Sequence, residues 1–254
     1  MRARTKKKPR QKLPWRFRLF LSLCFILLLS VGSYYFLSLP IWRITAVEVS
    51  GAKMLVPDEI RDLSGVPVSA NLFLTSLART RENLKKITAI KDFHLYRIPP
   101  GAVIIKIEER KPIAVLLFEN KSAIVDADGF ILNRNPNLTV NIPNMTELPV
   151  IAGLGTAEYE GEERISPRSA QLIVEIITEL SALLGSRHLQ LSTGGFEKIS
   201  FSLDDLLPVK VGRNENIKRK LEIFKALLSQ VNGRWAAVEY IDVRYPDNPV
   251  VKFK

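Results

Sequence analysis

The chain has a single cysteine, Cys24, so it cannot form an internal disulfide, and whatever folds must do so by burying a core. Histidine is almost as scarce. His94 and His188 have neither a second His nor a Cys at ligand spacing, which argues against a zinc site. There is no K-T-G element and no phosphate-cradling glycine loop. No metal, cofactor or small-molecule substrate is expected, and no catalytic residue. Acidic residues are missing from the first 18 positions, which carry nine cations: Arg2, Arg4, Lys6, Lys7, Lys8, Arg10, Lys12, Arg16 and Arg18.

Leu19 to Leu39 follow as 21 consecutive uncharged positions. At about 1.5 Å per residue they reach roughly 31 Å, the thickness one spanning helix must cross. A cleavable signal would have a shorter apolar region and a small-x-small site, whereas this run continues into Ser38-Leu39-Pro40-Ile41-Trp42. The expectation is an uncleaved single span with residues 1–18 in the cytoplasm and everything after Leu39 exported, because basic flanks stay inside. Trp15 on one side and Tyr34, Tyr35 and Trp42 on the other fit interfacial aromatic belts. The net charge of +11 suggests nucleic acid until it is divided along the chain. Beyond the first 18 residues, 28 basic groups face 26 acidic ones. The basic tail then marks topology beside anionic lipid rather than a nucleic-acid site.

In the exported part, Ile44 to Val49 alternate as a strand and stop at Ser50-Gly51. Pro57-Asp58-Glu59-Ile60 opens a helix that ends near Gly65, and a second helix is expected over Thr75–Lys86. Strands over Ile90–Arg97 and Ala102–Glu109 flank an Ile98-Pro99-Pro100-Gly101 turn. Further on, Asp128-Gly129 marks a hairpin within Ile124–Phe130. Ser166 and Pro167 open a helix striped by Leu172, Ile173, Ile176, Ile177, Leu180 and Leu184 and ended by Gly185. Strands over Lys198–Leu203 and Leu207–Val211, a helix over Asn214–Val231, and strands over Val238–Tyr245 and Val250–Lys254 complete the chain. Pro246 and Pro249 precede the last of these and cannot donate to a ladder.

Four patterns invite chemistry, and each has a plainer reading. Ser50-Gly51-Ala52-Lys53 matches S-x-x-K of penicillin-binding proteins, but Ser50 sits at a strand end and the companion motifs are missing. Asp126-Ala127-Asp128-Gly129 starts like a calcium loop, yet Phe130 occupies a ligand position, which favours a hairpin. Glu108 and Glu109 are adjacent on a strand, so they point to opposite faces and cannot pair as acid and base. Asn137-Leu138-Thr139 and Asn144-Met145-Thr146 match glycosylation sequons, which are too short to assign a role.

The strand, helix, helix, strand, strand order beside a membrane anchor resembles a POTRA domain. The resemblance rests on V-E-V-S-G-A at Val47–Ala52, N-L-F at Asn71–Phe73, R-I-P-P-G at Arg97–Gly101 and I-E-E-R-K-P-I-A-V at Ile107–Val115. The last stretch is similar to the join between POTRA and β domains in the FtsQ/DivIB family of cell-division proteins. Leu148–Gly153 and Ile241–Tyr245 are similar to that family's L-P-x-I-x-G segment and terminal D-x-R-Y strand. Lys86-Ile87-Thr88-Ala89 departs from it, since family members often carry a proline there.

The resemblance implies an α+β protein: a transmembrane helix at 19–39, a POTRA domain at 44–112, and a mostly antiparallel β domain with two packed helices at 113–254. It implies a non-enzymatic divisome scaffold in the inner membrane at the septum, its bulk periplasmic, that binds an FtsB/FtsL-like pair among other divisome components. The alternative is a POTRA-bearing factor for protein export or outer-membrane assembly, and a membrane-tethered wall enzyme is a third. The expected partner contacts are Arg244, Tyr245, Val250, Val251 and Phe253, with Ile241, Val243 and Tyr245 on one strand face and Asp242 and Arg244 on the other.

Overall fold

The computed structural model describes residues 14–118, 121–154, 159–160, 163–184, 189–193, 198–204, 207–231 and 235–254. Seven of the nine N-terminal cations, together with Gly185 and His188, lie outside these residues. The chain groups into two compact units. The first runs to Val47 and takes in Pro67–Ser76 and Arg97–Val103; the second comprises Glu48–Val66, Leu77–Tyr96 and Ile104–Lys254.

Helix α1 spans Trp15–Leu37, starting four residues earlier and ending two earlier than the uncharged run. Pro14 starts it, because a residue without an N–H costs nothing at a helix entrance. Arg16 and Arg18 do not interrupt it, since a charge ends a membrane core but not a helix. At its far end the Ser38 hydroxyl donates back to the Tyr34 carbonyl at 2.7 Å, and Pro40 follows. Among the described residues, α1 is the one helix long and apolar enough to cross a membrane, and its side chains are exposed along its length.

The next elements are β1 (Ala46–Ser50), α2 (Pro57–Ser64), α3 (Ala78–Lys85), β2 (Ile90–Ile98) and β3 (Ala102–Glu109), with sheet order β1-β3-β2. Pro57 opens α2 beneath Asp58 and Glu59, and Gly65 ends it in the left-handed region at φ +62. Helix α3 is shorter than its sequence pattern, beginning at Ala78 rather than Thr75. Ser50 closes β1, and Gly51 turns the chain at φ +94, where a Cβ would collide with the Ile107 carbonyl oxygen. The S-x-x-K match therefore lies on a turn. In the second unit Ile60, Leu84, Ile87, Ile105 and Ile107 are buried.

The remaining strands are β4 (Pro112–Phe118), β5 (Lys121–Asp126), β6 (Val150–Ala152), β7 (Tyr159–Glu160), β8 (Arg164–Ile165), β9 (Leu189–Thr193), β10 (Ile199–Leu203), β11 (Leu207–Gly212), β12 (Val238–Asp242) and β13 (Val250–Phe253). Helix α4 (Pro167–Leu184) lies between β8 and β9, and α5 (Ile217–Val231) between β11 and β12. Strands β7 and β8 pair with each other. The others form one sheet in the order β5-β4-β6-β9-β10-β11-β12-β13. Four of its pairings are antiparallel and three, β4–β6, β6–β9 and β11–β12, are parallel. Two of the parallel pairs follow from the helices, because a strand that returns through α4 or α5 re-enters the sheet in the same direction.

The helical stripes pack on this sheet. Ile173, Ile176 and Leu180 of α4 and Leu221 and Phe224 of α5 are buried with Leu191, Phe201, Val209 and Ile241. Phe201 meets Phe224 edge-on at 5.1 Å between centroids. The Ser166 hydroxyl caps α4 by accepting the Ser169 N–H at 3.1 Å, as its position implies. Helix α5 starts at Ile217 rather than Asn214, because Asn216 sits at φ +54, outside the helical region.

Candidate functional site

The last two strands form the end of the large sheet. Strand β12 runs parallel to β11, with Val209 beside Ile241, and antiparallel to β13, which pairs Asp242 with Val250, Ile241 with Val251 and Val238 with Phe253. Pro246 and Pro249 do not prevent this. The Asn248 N–H donates to the Tyr245 carbonyl at 3.0 Å, so Pro246 takes the second position of a tight turn, and Pro249 precedes the first strand residue. Strand β13 is an edge. Beyond it the described residues place no further strand.

Three exposed apolar or aromatic side chains lie along or beside this edge. Val250 is 50% exposed, Phe253 53% and Tyr245 69%, while Val251 packs partly against the core. The side-chain split differs from the one expected for a strand running on to Tyr245. Ile241 and Val243 are fully buried, but Tyr245 does not share their face. The strand ends at Asp242, three residues before the tyrosine, and the Asp242 carboxylate accepts the Arg244 backbone N–H at 3.0 Å and so bends the chain.

Asp242 also holds the Arg244 side chain. Nε lies 3.0 and 2.9 Å from its two carboxylate oxygens and Nη2 lies 2.7 Å from Oδ2. Burial raises the carboxyl's pKa, but the Arg244 hydrogen bonds and the charges of Arg244 and Lys210 outweigh it and leave the group below the usual carboxylate range. The same contacts raise Arg244. The aliphatic stem of Arg244 lies over Gly212, at φ +74, where an added Cβ would come within 3.0 Å of it. On β12, Tyr240 has the Lys210 ammonium 3.9 Å and the Lys252 ammonium 5.6 Å from its ring centroid. Lys252 is raised by its hydrogen bond to Glu239.

Beside this edge opens a cleft of about 500 Å³, lined by Gly212, Arg213, Lys220, Arg244, Tyr245 and Pro246. Lys220 is buried, and its ammonium donates to the Arg213 carbonyl at 2.8 Å. Desolvation lowers its pKa against the opposing charge of Glu215. Neither the Asp242 clamp nor the buried Lys220 was anticipated from sequence. The D-x-R spacing at 242–244 is legible in the sequence, while the hydrogen bonds Asp242 makes to Arg244 are not.

The other chemical patterns resolve into structural roles. Glu108 faces Lys91 at 3.5 Å, while Glu109 accepts backbone N–H groups from Lys53, Met54 and Leu55 at 2.8 to 3.1 Å. Asp126 accepts the Asp128 and Phe130 N–H groups and an Arg110 guanidinium nitrogen, so its carboxylate is occupied within the hairpin. His94 is exposed on β2, with its ring stacked 6.3 Å from that of Tyr96. Thr139 of the first sequon bonds to Glu59 through both its N–H and its hydroxyl. Among the described residues no three His, Cys, Asp or Glu side chains converge as a metal site.

Residues 42–110 match the FtsQ-type POTRA domain family. The chain carries an FtsQ-type POTRA domain. Its similarity to characterised proteins runs well beyond that domain. It is 26% identical over 228 residues to the cell division protein FtsQ of Streptomyces collinus, covering 88% of this chain and 83% of that protein. It is 24% identical over 239 residues to the cell division protein DivIB of Clostridium tetani, covering 90% and 86%. The FtsQ of Geotalea daltonii is 24% identical over 217 residues, covering 83% and 76%. An N-terminal helix long and apolar enough to cross a membrane, a POTRA domain and a β-rich C-terminal region thus accompany similarity to FtsQ and DivIB over most of the chain. This supports a role in the division machinery.

Proposed function

We propose that the chain is a non-enzymatic scaffold of the divisome, held by α1 in the cytoplasmic membrane at the septum with its bulk on the outer side. In this reading residues 44–112 serve recruitment, and residues 113–254 bind a pair of small bitopic proteins of the FtsB and FtsL type. The observation that carries the reading is the β13 edge with Tyr245, Val250 and Phe253 exposed along it. A partner segment adds there as a strand. Four or five backbone hydrogen bonds at about 1 kcal/mol net each are largely offset by association entropy, so side chains supply most of the net affinity. Tyr245 and Phe253 are the anchors and Val250 and Val251 line the strand. Arg244 is the charged contact, presented by Asp242 with little freedom left to lose.

A photocrosslinking amino acid placed at Val250, and separately at Phe253, tests this in dividing cells of the native organism. Adducts with small single-span division proteins support the reading. The absence of such adducts at both positions, with crosslinks forming at a control position on another face, contradicts it.

A further inference from the structure

The first compact unit contains no acidic residue. All 26 Asp and Glu residues lie outside the stretch to Val47, Pro67–Ser76 and Arg97–Val103. Within this unit the loop 67–76 is tied to the chain that leaves α1. The Asn71 side-chain amide donates to the Leu37 carbonyl at 2.6 Å, at the last turn of the helix. The Leu72 N–H donates to the Trp42 carbonyl at 2.6 Å, and Ile44 exchanges backbone hydrogen bonds with Ser69 and Ala70 at 2.8 Å. The Trp42 indole N–H donates to the Phe36 carbonyl at 2.8 Å. The rings of Phe36, Trp42 and Phe73 follow one another edge to face, 5.4 and 5.3 Å apart. A continuous aromatic ladder therefore climbs from the apolar helix onto the loop.

The loop holds its apolar side chains outward. The Asn71 carboxamide oxygen accepts the Phe73 and Leu74 N–H groups at 2.9 and 3.0 Å, and Arg97 braces the carbonyls of Leu72, Phe73 and Thr75. On this fixed backbone Leu72 is buried, but Phe73 is 38% and Leu74 51% exposed, and Ile41, the chain neighbour of the Trp42 that Phe73 meets, is 61% exposed. Arg43 is exposed in the same segment. An apolar rim, immobilised by hydrogen bonds within a few residues of the end of an apolar helix and free of acids, complements a lipid headgroup layer.

We propose that the rim of Ile41, Phe73 and Leu74 seats in the headgroup region of the membrane at the C-terminal end of α1, with Arg43 among the lipid phosphates. The proposal rests on α1 spanning the bilayer. The seat fixes the angle at which the first POTRA strand leaves the membrane, and it makes the bilayer surface a second binding partner besides the span itself.

Spin labels on the full-length protein in vesicles of phosphatidylethanolamine and phosphatidylglycerol test it. Single labels go at native Cys24 and, in a Cys24→Ser background, at Phe73→Cys, Leu74→Cys and the exposed Asp247→Cys. Leu74 lies outside the ring ladder and keeps the test open if labelling at Phe73 disturbs the fold. The ratio of collisions with oxygen to collisions with a water-soluble nickel chelate should be several-fold higher at 73 and 74 than at 247, and lower than at Cys24 in the hydrocarbon core. Ratios at 73 and 74 equal to that at 247, with Cys24 still shielded from nickel, overturn the docking and leave the span intact. Nickel access at Cys24 overturns the span and the docking with it.

Discussion

Arg110 Nη1 stands 2.7 Å from Asp126 Oδ2, and the same guanidinium lies 3.8 Å from the centroid of the Phe130 ring. Both side chains of the pair are largely buried, and Arg110 also reaches Asp128 at 3.1 Å. Arg110 directly follows β3, while Asp126 closes β5 of the large sheet, so the pair locks the chain where one sheet gives way to the next. A neighbouring contact acts in the same place: the Arg110 N–H donates to the Ala89 carbonyl at 2.9 Å.

The consequence is an asymmetric response to mutation. Arg110→Ala strips a buried carboxylate of its cation and is expected to cost about 3–5 kcal/mol. Pairing Arg110→Met with Asp126→Asn removes both charges and should cost clearly less than the sum of the single changes. Urea unfolding of the unmodified protein, Arg110→Ala, Arg110→Met, Asp126→Asn and the double variant measures this. A loss below about 1 kcal/mol for Arg110→Ala is incompatible with a buried, paired carboxylate.

Asp242 makes the candidate edge sensitive to acid. Its carboxyl is depressed in the fold, so the ionised form stabilises. That contribution is complete above the unfolded-state value of about 3.9 and is lost as pH falls through the lower folded-state value. Asp242→Asn should therefore lower the Tm at neutral pH, and the gap to the unmodified protein should close as pH drops below about 4. A gap unchanged at about pH 3 would mean that the Asp242 charge contributes nothing.

The proposed topology, with the basic flank in the cytoplasm and α1 spanning the bilayer, puts Lys254 on the far side of the membrane from residues 1–18. Alkaline phosphatase fused after Lys254 is expected to be active, because it folds only when exported. A fluorescent protein that fails to fold outside the cytoplasm is expected to stay dark. The reverse pattern would invert the topology.

Local signals carried most of the fold. Pro57 and Gly65 bound α2, Ser166 caps α4, and the apolar stripes of α4 and α5 lie against the sheet as their spacing implies. What lay hidden depends on distance along the chain. The β11–β12 pairing joins strands separated by a whole helix, and the Glu59 contact to Thr139 spans 80 residues, so neither leaves a periodic trace. The placement of Tyr245 turned on a different cause. Alternation along Ile241, Val243 and Tyr245 suggested one face, but the Asp242 carboxylate bonds to the next-but-one N–H and ends the strand there. The turn residues Pro246, Asp247 and Asn248 were the available sign that the strand stops early.

The central claim, that the β13 edge receives a partner, is tested most directly by measuring affinity and melting together. Full-length protein carrying Tyr245→Ala or Phe253→Ala would be titrated with the FtsB- and FtsL-type pair of the same organism, and its Tm recorded alongside. Both side chains are more than half exposed, so the Tm should barely move. Binding should weaken by about 2 kcal/mol or more, roughly 30-fold. Undiminished affinity in both variants, with the fold intact, would contradict the assignment of this edge.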